Sequence, residues 1–231
     1  MAAGIAPDRL LVLWERGRGV TPAECAAALL DAVPGAGSDL DVGSRDILLA
    51  RILAATAGPL VWARALCSTC GAALDVPVDV AAVAALPVHA PGEQLSIEVD
   101  GVTVRFRLPT TDDLLALRNV PPGVARDLLL RRCLAIPDGP VPEAVAEAVD
   151  AAMEAAAPGG AIDLLVACPD CATTSTAALD VAALLWAEVE ARATMLMAQV
   201  HALAAAYGWT EPDVLALSPR RRTAYLEMVQ S

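Results

Sequence analysis

Apolar residues recur at helical spacing in the first quarter of the chain. One apolar stripe runs from Pro7 to Arg16. The segment Thr21-Pro22-Ala23-Glu24 combines a capping threonine, a first-turn proline and a capping-box glutamate, which together favour a helix start. A further helix is predicted to begin at Ser44 or Asp46. Residues 1–58 are therefore predicted to form a segment of N-terminal helices.

Alternation of apolar and polar positions indicates strands in the next part of the chain. The run Leu60–Leu66 leads into a Cys-x-x-Cys turn, and Ala72–Val80 after that turn is again β-prone. Ser96–Leu108 alternates on both sides of Asp100-Gly101, which is a typical hairpin turn. Residues 59–109 are predicted to hold the first Cys-x-x-Cys turn and this β-hairpin.

Helical patterns return at Thr110, which forms a capping pair with Asp113. The patterns that follow assign residues 110–159 to inserted helices. Residues 160–231 contain a short strand, a second Cys-x-x-Cys turn, a long helix from Val181 to Tyr207 and two short C-terminal helices. We expect the four segments to fold as one cooperative unit.

The two Cys-x-x-Cys turns, called knuckles here, belong to an internal repeat. Cys67 and Cys70 form the first knuckle, and Cys168 and Cys171 form the second. Each follows a strand-like apolar run, and the same Asp-Val pair comes nine positions after the second cysteine of each knuckle. The sequence therefore predicts the same strand–knuckle–strand–helix-start unit twice.

Paired knuckles are typical of a metal site. Each one presents two thiolates on one side of a tight loop, so two of them supply the four sulfurs of a tetrahedral zinc shell. We predict that Cys67, Cys70, Cys168 and Cys171 bind one structural zinc ion. A four-thiolate shell leaves no open position for water, so this zinc is expected to be architectural. The predicted fold class is α+β, mostly helical, with a split zinc-ribbon-like β unit and an inserted β-hairpin.

Two other interpretations of the knuckle cysteines stay open. Both pairs could be redox dithiols, although a thioredoxin-type pair lies at a helix start, and Gly71 followed by a β-prone run does not fit that context. Alternatively, the cysteines lie by chance in an ordinary core. Cys25 and Cys133 lie inside predicted helices and are expected to be small buried hydrophobic residues.

Net charge and hydropathy argue against two classes of partner, nucleic acids and membranes. The formal net charge of −12 repels nucleic-acid phosphates, so no nucleic-acid partner is expected. The most apolar region, Ile47–Leu66, contains Arg51, Arg64 and the Gly58-Pro59 break, so no membrane span and no membrane partner are predicted. The first residues lack a signal-peptide layout, which predicts a cytoplasmic location where thiols stay reduced.

The sequence contains no pattern that indicates an enzyme. Its two histidines, His89 in a Pro-bounded loop and His201 in the long helix, lack the spacing of a metal pair or a catalytic triad. Phosphate-binding loops and dinucleotide glycine patterns are also missing from the sequence. We predict no catalytic residues and no small-molecule substrate.

The C-terminal sequence from His201 to Met228 resembles the tail of baseplate hub assembly proteins of T-even-like contractile phages and of related proteins encoded with contractile injection systems. The likeness lies in a long helix with a histidine, the Tyr207-Gly208-Trp209 break, a short acidic helix and an Arg-rich helix ending in Tyr225-Leu226. In some members, paired knuckles and a Val-Asp-Gly-Val hairpin precede this pattern, as at Val99–Val102 here.

The resemblance implies a chaperone or minor component that helps to build a baseplate or hub. The arginine cluster after Pro219 is either a solvated helix face or a docking patch for an acidic partner surface. The partner-binding residues suggested by this pattern are Trp209, Arg220, Arg221, Arg222 and Tyr225.

The leading hypothesis is a non-enzymatic assembly or scaffold protein whose partners are baseplate, hub or spike subunits. The first alternative is a zinc-ribbon adaptor for nucleic acid or protein, which would need a basic face beside the knuckles. The second alternative is a dithiol oxidoreductase.

Overall fold

The computed structural model of the protein describes residues 5–30, 33, 37, 39–134 and 140–230. Within these ranges ten helices and six strands confirm the α+β class. The helices are α1 (Pro7–Gly17), α2 (Pro22–Leu30), α3 (Val42–Ala57), α4 (Val80–Ala84), α5 (Thr111–Leu117), α6 (Pro122–Leu134), α7 (Glu143–Ala156), α8 (Val181–Tyr207), α9 (Glu211–Ala216) and α10 (Pro219–Gln230). The strands are β1 (Leu60–Leu66), β2 (Ala73–Asp79), β3 (Gln94–Val99), β4 (Val102–Arg107), β5 (Asp163–Ala167) and β6 (Thr174–Ala178).

The strands form three separate two-stranded antiparallel sheets, β1–β2, β3–β4 and β5–β6. In the first sheet Leu66 lies opposite Ala73, and in the third Ala167 lies opposite Thr174, so each of these hairpins ends in a knuckle. A two-stranded sheet alone is only marginally stable in water. Each hairpin therefore depends on what it packs against.

The largest hydrophobic core brings the two ends of the chain together. The long helix α8 packs against α1, α2 and α3, and α9 and α10 also pack on α8. The completely buried residues at this junction include Leu29, Leu49, Leu185 and Val189. Since the N-terminal helices and the last segment share one core, the two ends of the chain depend on each other for stability.

The middle hairpin, β3–β4, has its own smaller core. Phe106 of β4 packs with Leu130 of α6 and Val149 of α7. The predicted Asp100-Gly101 turn is present, and both residues have positive φ, 51° and 79°, as a two-residue hairpin turn of this hand requires.

The start of α3 differs from the prediction. The helix begins at Val42, and its cap is Asp41, whose carboxylate accepts a hydrogen bond from the Ser44 amide at 2.9 Å. Ser44 is a buried helical residue whose hydroxyl accepts a hydrogen bond from the His89 amide at 2.8 Å. The predicted starts at Ser44 or Asp46 are wrong, because Asp41 caps the helix and the Ser44 hydroxyl instead accepts a hydrogen bond from a distant loop.

No helix among the described residues is both long enough and apolar enough to cross a lipid bilayer.

A buried carboxylate joins the middle hairpin to the inserted helices. Asp113 accepts hydrogen bonds from Arg107 of β4 at 2.5 Å and from Arg132 of α6 at 2.7 Å. It also completes the predicted capping box with Thr110 at the start of α5. Burial alone would raise the pKa of Asp113, but the hydrogen bonds from Arg107, Thr110 and Arg132 hold that pKa well below its usual range.

Replacing this carboxylate should destabilise the fold markedly. We expect Asp113→Ala to lower the free energy of unfolding by about 3 kcal/mol, because two arginines and a helix start lose their shared acceptor. The neighbouring exposed Asp112 provides the matched control, and Asp112→Ala should change the free energy by less than about 0.5 kcal/mol.

The measurement is urea denaturation of both variants over a range of pH. Since the folded-state pKa of Asp113 is depressed, its contribution is complete above the unfolded pKa of about 4 and is lost as the pH falls below it. Equal effects of the two variants at neutral pH would contradict this role for Asp113.

Candidate metal centre

Both knuckles are hairpin tips held by the same backbone hydrogen bonds. In the first, the Cys67 amide donates to the Ala72 carbonyl at 2.9 Å, and the Gly71 amide donates to the Cys67 carbonyl at 2.9 Å. The second knuckle repeats these two bonds, from Cys168 to the Thr173 carbonyl and from Ala172 to the Cys168 carbonyl, both at 3.0 Å. The two turns are therefore built alike.

The residue after each knuckle has left-handed backbone geometry. The φ angle is 74° at Gly71 and 58° at Ala172. Glycine adopts this conformation freely, whereas alanine is strained there by about 1–2 kcal/mol. The second knuckle thus keeps the turn at some cost in stability.

The repeat extends to the helices that follow. Asp79 caps α4 by accepting from the Ala82 amide at 3.0 Å, and Asp180 caps α8 by accepting from the Ala183 amide at 2.8 Å. The strand–knuckle–strand–helix-start unit predicted from the sequence is therefore present twice.

The four knuckle cysteines come together in space. The Cys67 and Cys171 sulfurs are 3.6 Å apart, as are those of Cys70 and Cys168, and all four sulfurs lie within 4.8 Å of one another. A regular tetrahedron with zinc–sulfur bonds of about 2.3 Å has sulfur–sulfur edges of about 3.8 Å. The cluster therefore has the dimensions of a single metal site.

These distances do not match disulfide bonds, in which the sulfurs lie about 2.05 Å apart. All four cysteines are free thiols in the structure. The short contacts also join one knuckle to the other, and the partners are 104 and 98 positions apart in the sequence. The four sulfurs are therefore compatible with a single metal site between the two hairpins.

Burial of the cluster is uneven. Cys67 and Cys168 are each only 3% exposed, whereas Cys70 is exposed and Cys171 is half-buried. Leu74, Val76 and Val166 pack around the two buried sulfurs. A bound cation would thus have an apolar floor and one side open to solvent exchange.

Hydrogen bonds favour the ionised form of two cysteines. The backbone amides of Cys70 and Thr69 lower the pKa of Cys67. The hydroxyl and the amide of Thr173 lower the pKa of Cys171 to about 6. Thiolates are the metal-binding form of cysteine, so these hydrogen bonds favour binding of a cation by both sulfurs.

The pKa of the exposed Cys70 thiol is shifted in the opposite direction. The Ala72 amide lowers the pKa of Cys70, but contacts with Cys168, Cys67 and Cys171 outweigh it and raise this pKa to about 12. Crowded thiols share protons because several like charges cannot lie so close together. A cation among the sulfurs would displace those protons.

The other cysteines lie apart from this cluster. Cys25 and Cys133 are both buried, as predicted, Cys25 in the main core and Cys133 near the charged residues Arg107, Asp113 and Arg132. Burial raises the pKa of Cys133 to about 11, so it stays a neutral thiol. Neither belongs to the group of cysteines that could share a metal.

Neither histidine contributes to the site. His89 ties its loop to α7, because Nε2 lies 2.7 Å from the Ala156 carbonyl oxygen and Nδ1 lies 3.1 Å from the Glu93 carboxylate. His201 is exposed on α8. These contacts give His89 a structural role.

The suggested partner-binding residues lie on α10 and in the bend between α8 and α9. Trp209 stacks on Tyr207 with ring centroids 4.8 Å apart and meets the edge of Tyr225 at 4.9 Å. Arg220 and Arg221 are exposed, but Arg222 is only 5% exposed. The expectation of three surface arginines is wrong for Arg222, because this side chain turns inward from α10.

Two residues that shape the site were not singled out from the sequence. Thr173 lowers the pKa of Cys171, and Ala172 takes the strained turn position. The repeat could have located both, since they align with Ala72 and Gly71. The alignment could not have predicted the Thr173 hydroxyl, because the aligned residue in the first knuckle, Ala72, has no hydroxyl.

In comparisons with known proteins, no family model matches the chain, and neither does a curated protein or a solved structure.

The backbone strain in the second knuckle can be tested by exchanging the two turn residues. Gly71→Ala should lower the free energy of unfolding by about 1 kcal/mol, because the substitution forces alanine into the left-handed region while its Cβ meets no atom within 4 Å. Ala172→Gly should leave stability unchanged or raise it by up to about 1 kcal/mol. Chemical denaturation at constant metal content measures both, and a loss of similar size in both variants would contradict the strain argument.

Proposed function

We propose that the four knuckle cysteines bind one structural zinc ion and that the chain is a non-enzymatic scaffold protein. The observation that carries the proposal is the convergence of four sulfurs within 4.8 Å from two distant parts of the chain. Two short hairpins whose tips face each other across a metal correspond to a zinc ribbon split by a long insertion. The all-cysteine donor set favours zinc among the common divalent metals.

A four-thiolate site has a structural role because every position around the metal is taken by the protein. It has no coordination position at which water or substrate could be activated. The knuckles are hairpin tips, whereas a redox dithiol of the thioredoxin type lies at a helix start. The geometry therefore supports a metal clip better than the dithiol oxidoreductase alternative.

The clip joins the two halves of the chain. The first hairpin lies between α3 and α4, and the second leads directly into α8. Zinc binding contributes about 10–16 kcal/mol in small zinc peptides, which exceeds the slowly growing entropy cost of closing a long loop. The metal would thus fix the hairpins relative to the core formed by α8 and the N-terminal helices.

We propose further that this scaffold takes part in assembling the baseplate or hub of a contractile phage tail or injection system. This proposal is supported by the resemblance of residues 201–228, by the exposed Tyr207 at the end of α8 and by the exposed Arg220 and Arg221 on α10. The nucleic-acid adaptor alternative is less well supported, because the exposed charges near the knuckles include Asp75 and Asp170 on a chain of net charge −12.

Metal content tests the first proposal directly. The full chain, purified without chelator, should contain about one zinc ion per molecule, and chelation should lower its unfolding temperature by about 10 °C or more. Cys70→Ser should reduce the bound zinc strongly, because a neutral hydroxyl replaces a thiolate on the exposed side of the cluster.

The matched control is Cys25→Ala, a cysteine outside the cluster, which should retain the full zinc content. Elemental analysis by mass spectrometry gives the stoichiometry. A wild-type chain without zinc, or a Cys70→Ser chain with full zinc, would rule out the proposed site.

Partner identity tests the second proposal. The chain, tagged at its N-terminus and purified from its native host, should bring down baseplate, hub or spike subunits that mass spectrometry identifies. Recovery of nucleic acid together with nucleic-acid enzymes would favour the adaptor alternative. Recovery of mixed disulfides with other proteins would favour the oxidoreductase.

A further inference from the structure

Among the residues that the structure describes, Arg222 has no anionic partner although it is buried. Its side chain is 5% exposed, and its Nη1 is fully buried with no hydrogen-bond partner in the structure. Burial lowers the pKa of this guanidinium, and no neighbouring carboxylate opposes that effect. Leaving a buried charge unpaired costs several kcal/mol, so such a residue is unfavourable in the isolated chain.

The stretch of sequence that contains Arg222 is basic, between Asp213 and Glu227 on a chain that is otherwise acidic. Ser218 to Leu226 contain three arginines and no acidic residue, while the whole chain carries a net charge of −12. Arg220 and Arg221 are exposed in the first turn of α10. This part of the surface is therefore complementary to an acidic ligand, and the rest of the chain opposes a second copy of itself.

Aromatic rings adjoin the arginines. Tyr225 is one helical turn beyond Arg221 and Arg222, so it lies between them on the surface of α10. Its ring contacts Trp209 and Tyr207, and Tyr207 is 40% exposed. Aromatic and arginine side chains together are the usual anchors of protein–protein interfaces.

We propose that these residues, Tyr207, Trp209, Arg220, Arg221, Arg222 and Tyr225, form a docking face for an acidic peptide segment of a protein partner, one of whose carboxylates pairs with Arg222. The inference deepens the proposed scaffold function by assigning its partner a chemistry, and it rests on that function. Arg220 and Arg221 attract the segment from the rim, and Arg222 supplies the contact that excludes water. Since Arg222 is buried and α10 packs on α8, pairing with the bound carboxylate requires α10 to shift on α8 so that the guanidinium becomes accessible.

Carboxylates fit this face better than a nucleic-acid backbone does. A planar guanidinium can bind a single carboxylate through two parallel hydrogen bonds in a confined space. A nucleic acid presents a continuous line of phosphates, which the acidic remainder of the chain would repel. Three arginines on one short helix cannot offset that repulsion along an extended strand.

The test uses the full zinc-containing chain and a short fluorescein-labelled polyglutamate peptide, with binding followed by fluorescence anisotropy. We expect binding at low salt that weakens as salt rises. Arg222→Met should weaken binding by about 30-fold or more, because the bound carboxylate loses its partner. The double variant Arg220→Gln/Arg221→Gln should weaken it by about fivefold, as exposed charges do.

Thermal unfolding of the unliganded variants separates docking from an internal role. Arg222→Met should unfold at the same temperature as the wild type or higher, because methionine fills the site without an unpaired charge. A lower unfolding temperature would show that Arg222 stabilises the fold itself, and would overturn the proposal. The matched control, Arg64→Met, removes an arginine that is 78% exposed on the first hairpin and should alter binding less than about twofold.

Two further outcomes also decide against the docking face. Tighter binding of a labelled DNA duplex than of polyglutamate would assign the arginines to phosphate, and equal weakening by Arg64→Met would show that only net charge matters. A zinc-containing chain that does not bind polyglutamate overturns the docking face alone. A chain that binds polyglutamate but contains no zinc overturns only the metal clip.

Discussion

Four sulfurs held within 4.8 Å of one another cannot all be ionised unless a cation lies among them. The protein nevertheless places hydrogen bonds on two of them that favour the thiolate. These hydrogen bonds thus favour negative charge on the sulfurs, whereas repulsion between the crowded sulfurs disfavours it. The metal ion that we propose would resolve this conflict, and it would help to orient both knuckle hairpins, because each is a two-stranded sheet with little core of its own.

The helices that follow the two knuckle hairpins connect the cysteine cluster to the rest of the fold. Asp79 and Asp180 cap the helices that leave the two hairpins, so the direction of α4 and α8 follows from the hairpins that precede them. The helix α8 then forms the main core with the first three helices. The middle hairpin and the inserted helices form a separate cluster, in which the Asp113 carboxylate has the joining role that we assign to the metal between the knuckles.

Local sequence signals predicted most of the elements and the candidate site. The Cys-x-x-Cys spacing, the Asp-Gly turn and the capping boxes at Thr21 and Thr110 act within a few residues, so they can be identified without knowledge of the fold. The start of α3 could not be placed correctly from the sequence. Ser44 is a typical capping residue, but in the structure its hydroxyl accepts a hydrogen bond from the distant His89 amide. The burial of Arg222 and the pairing of Cys67 with Cys171 depend on packing between remote segments, and single-chain patterns do not encode such distances.

The position of the proposed metal clip has a topological consequence for the chain. The peptide between Cys70 and Cys168 closes a loop that contains the middle hairpin and helices α5 to α7. A break in the connection between α6 and α7 would leave two polypeptides, each carrying one knuckle. These fragments would still share the core between α8 and the first three helices, and at the cysteines of the proposed site coordination bonds would replace the peptide link, so removal of the metal would weaken the association of the two pieces.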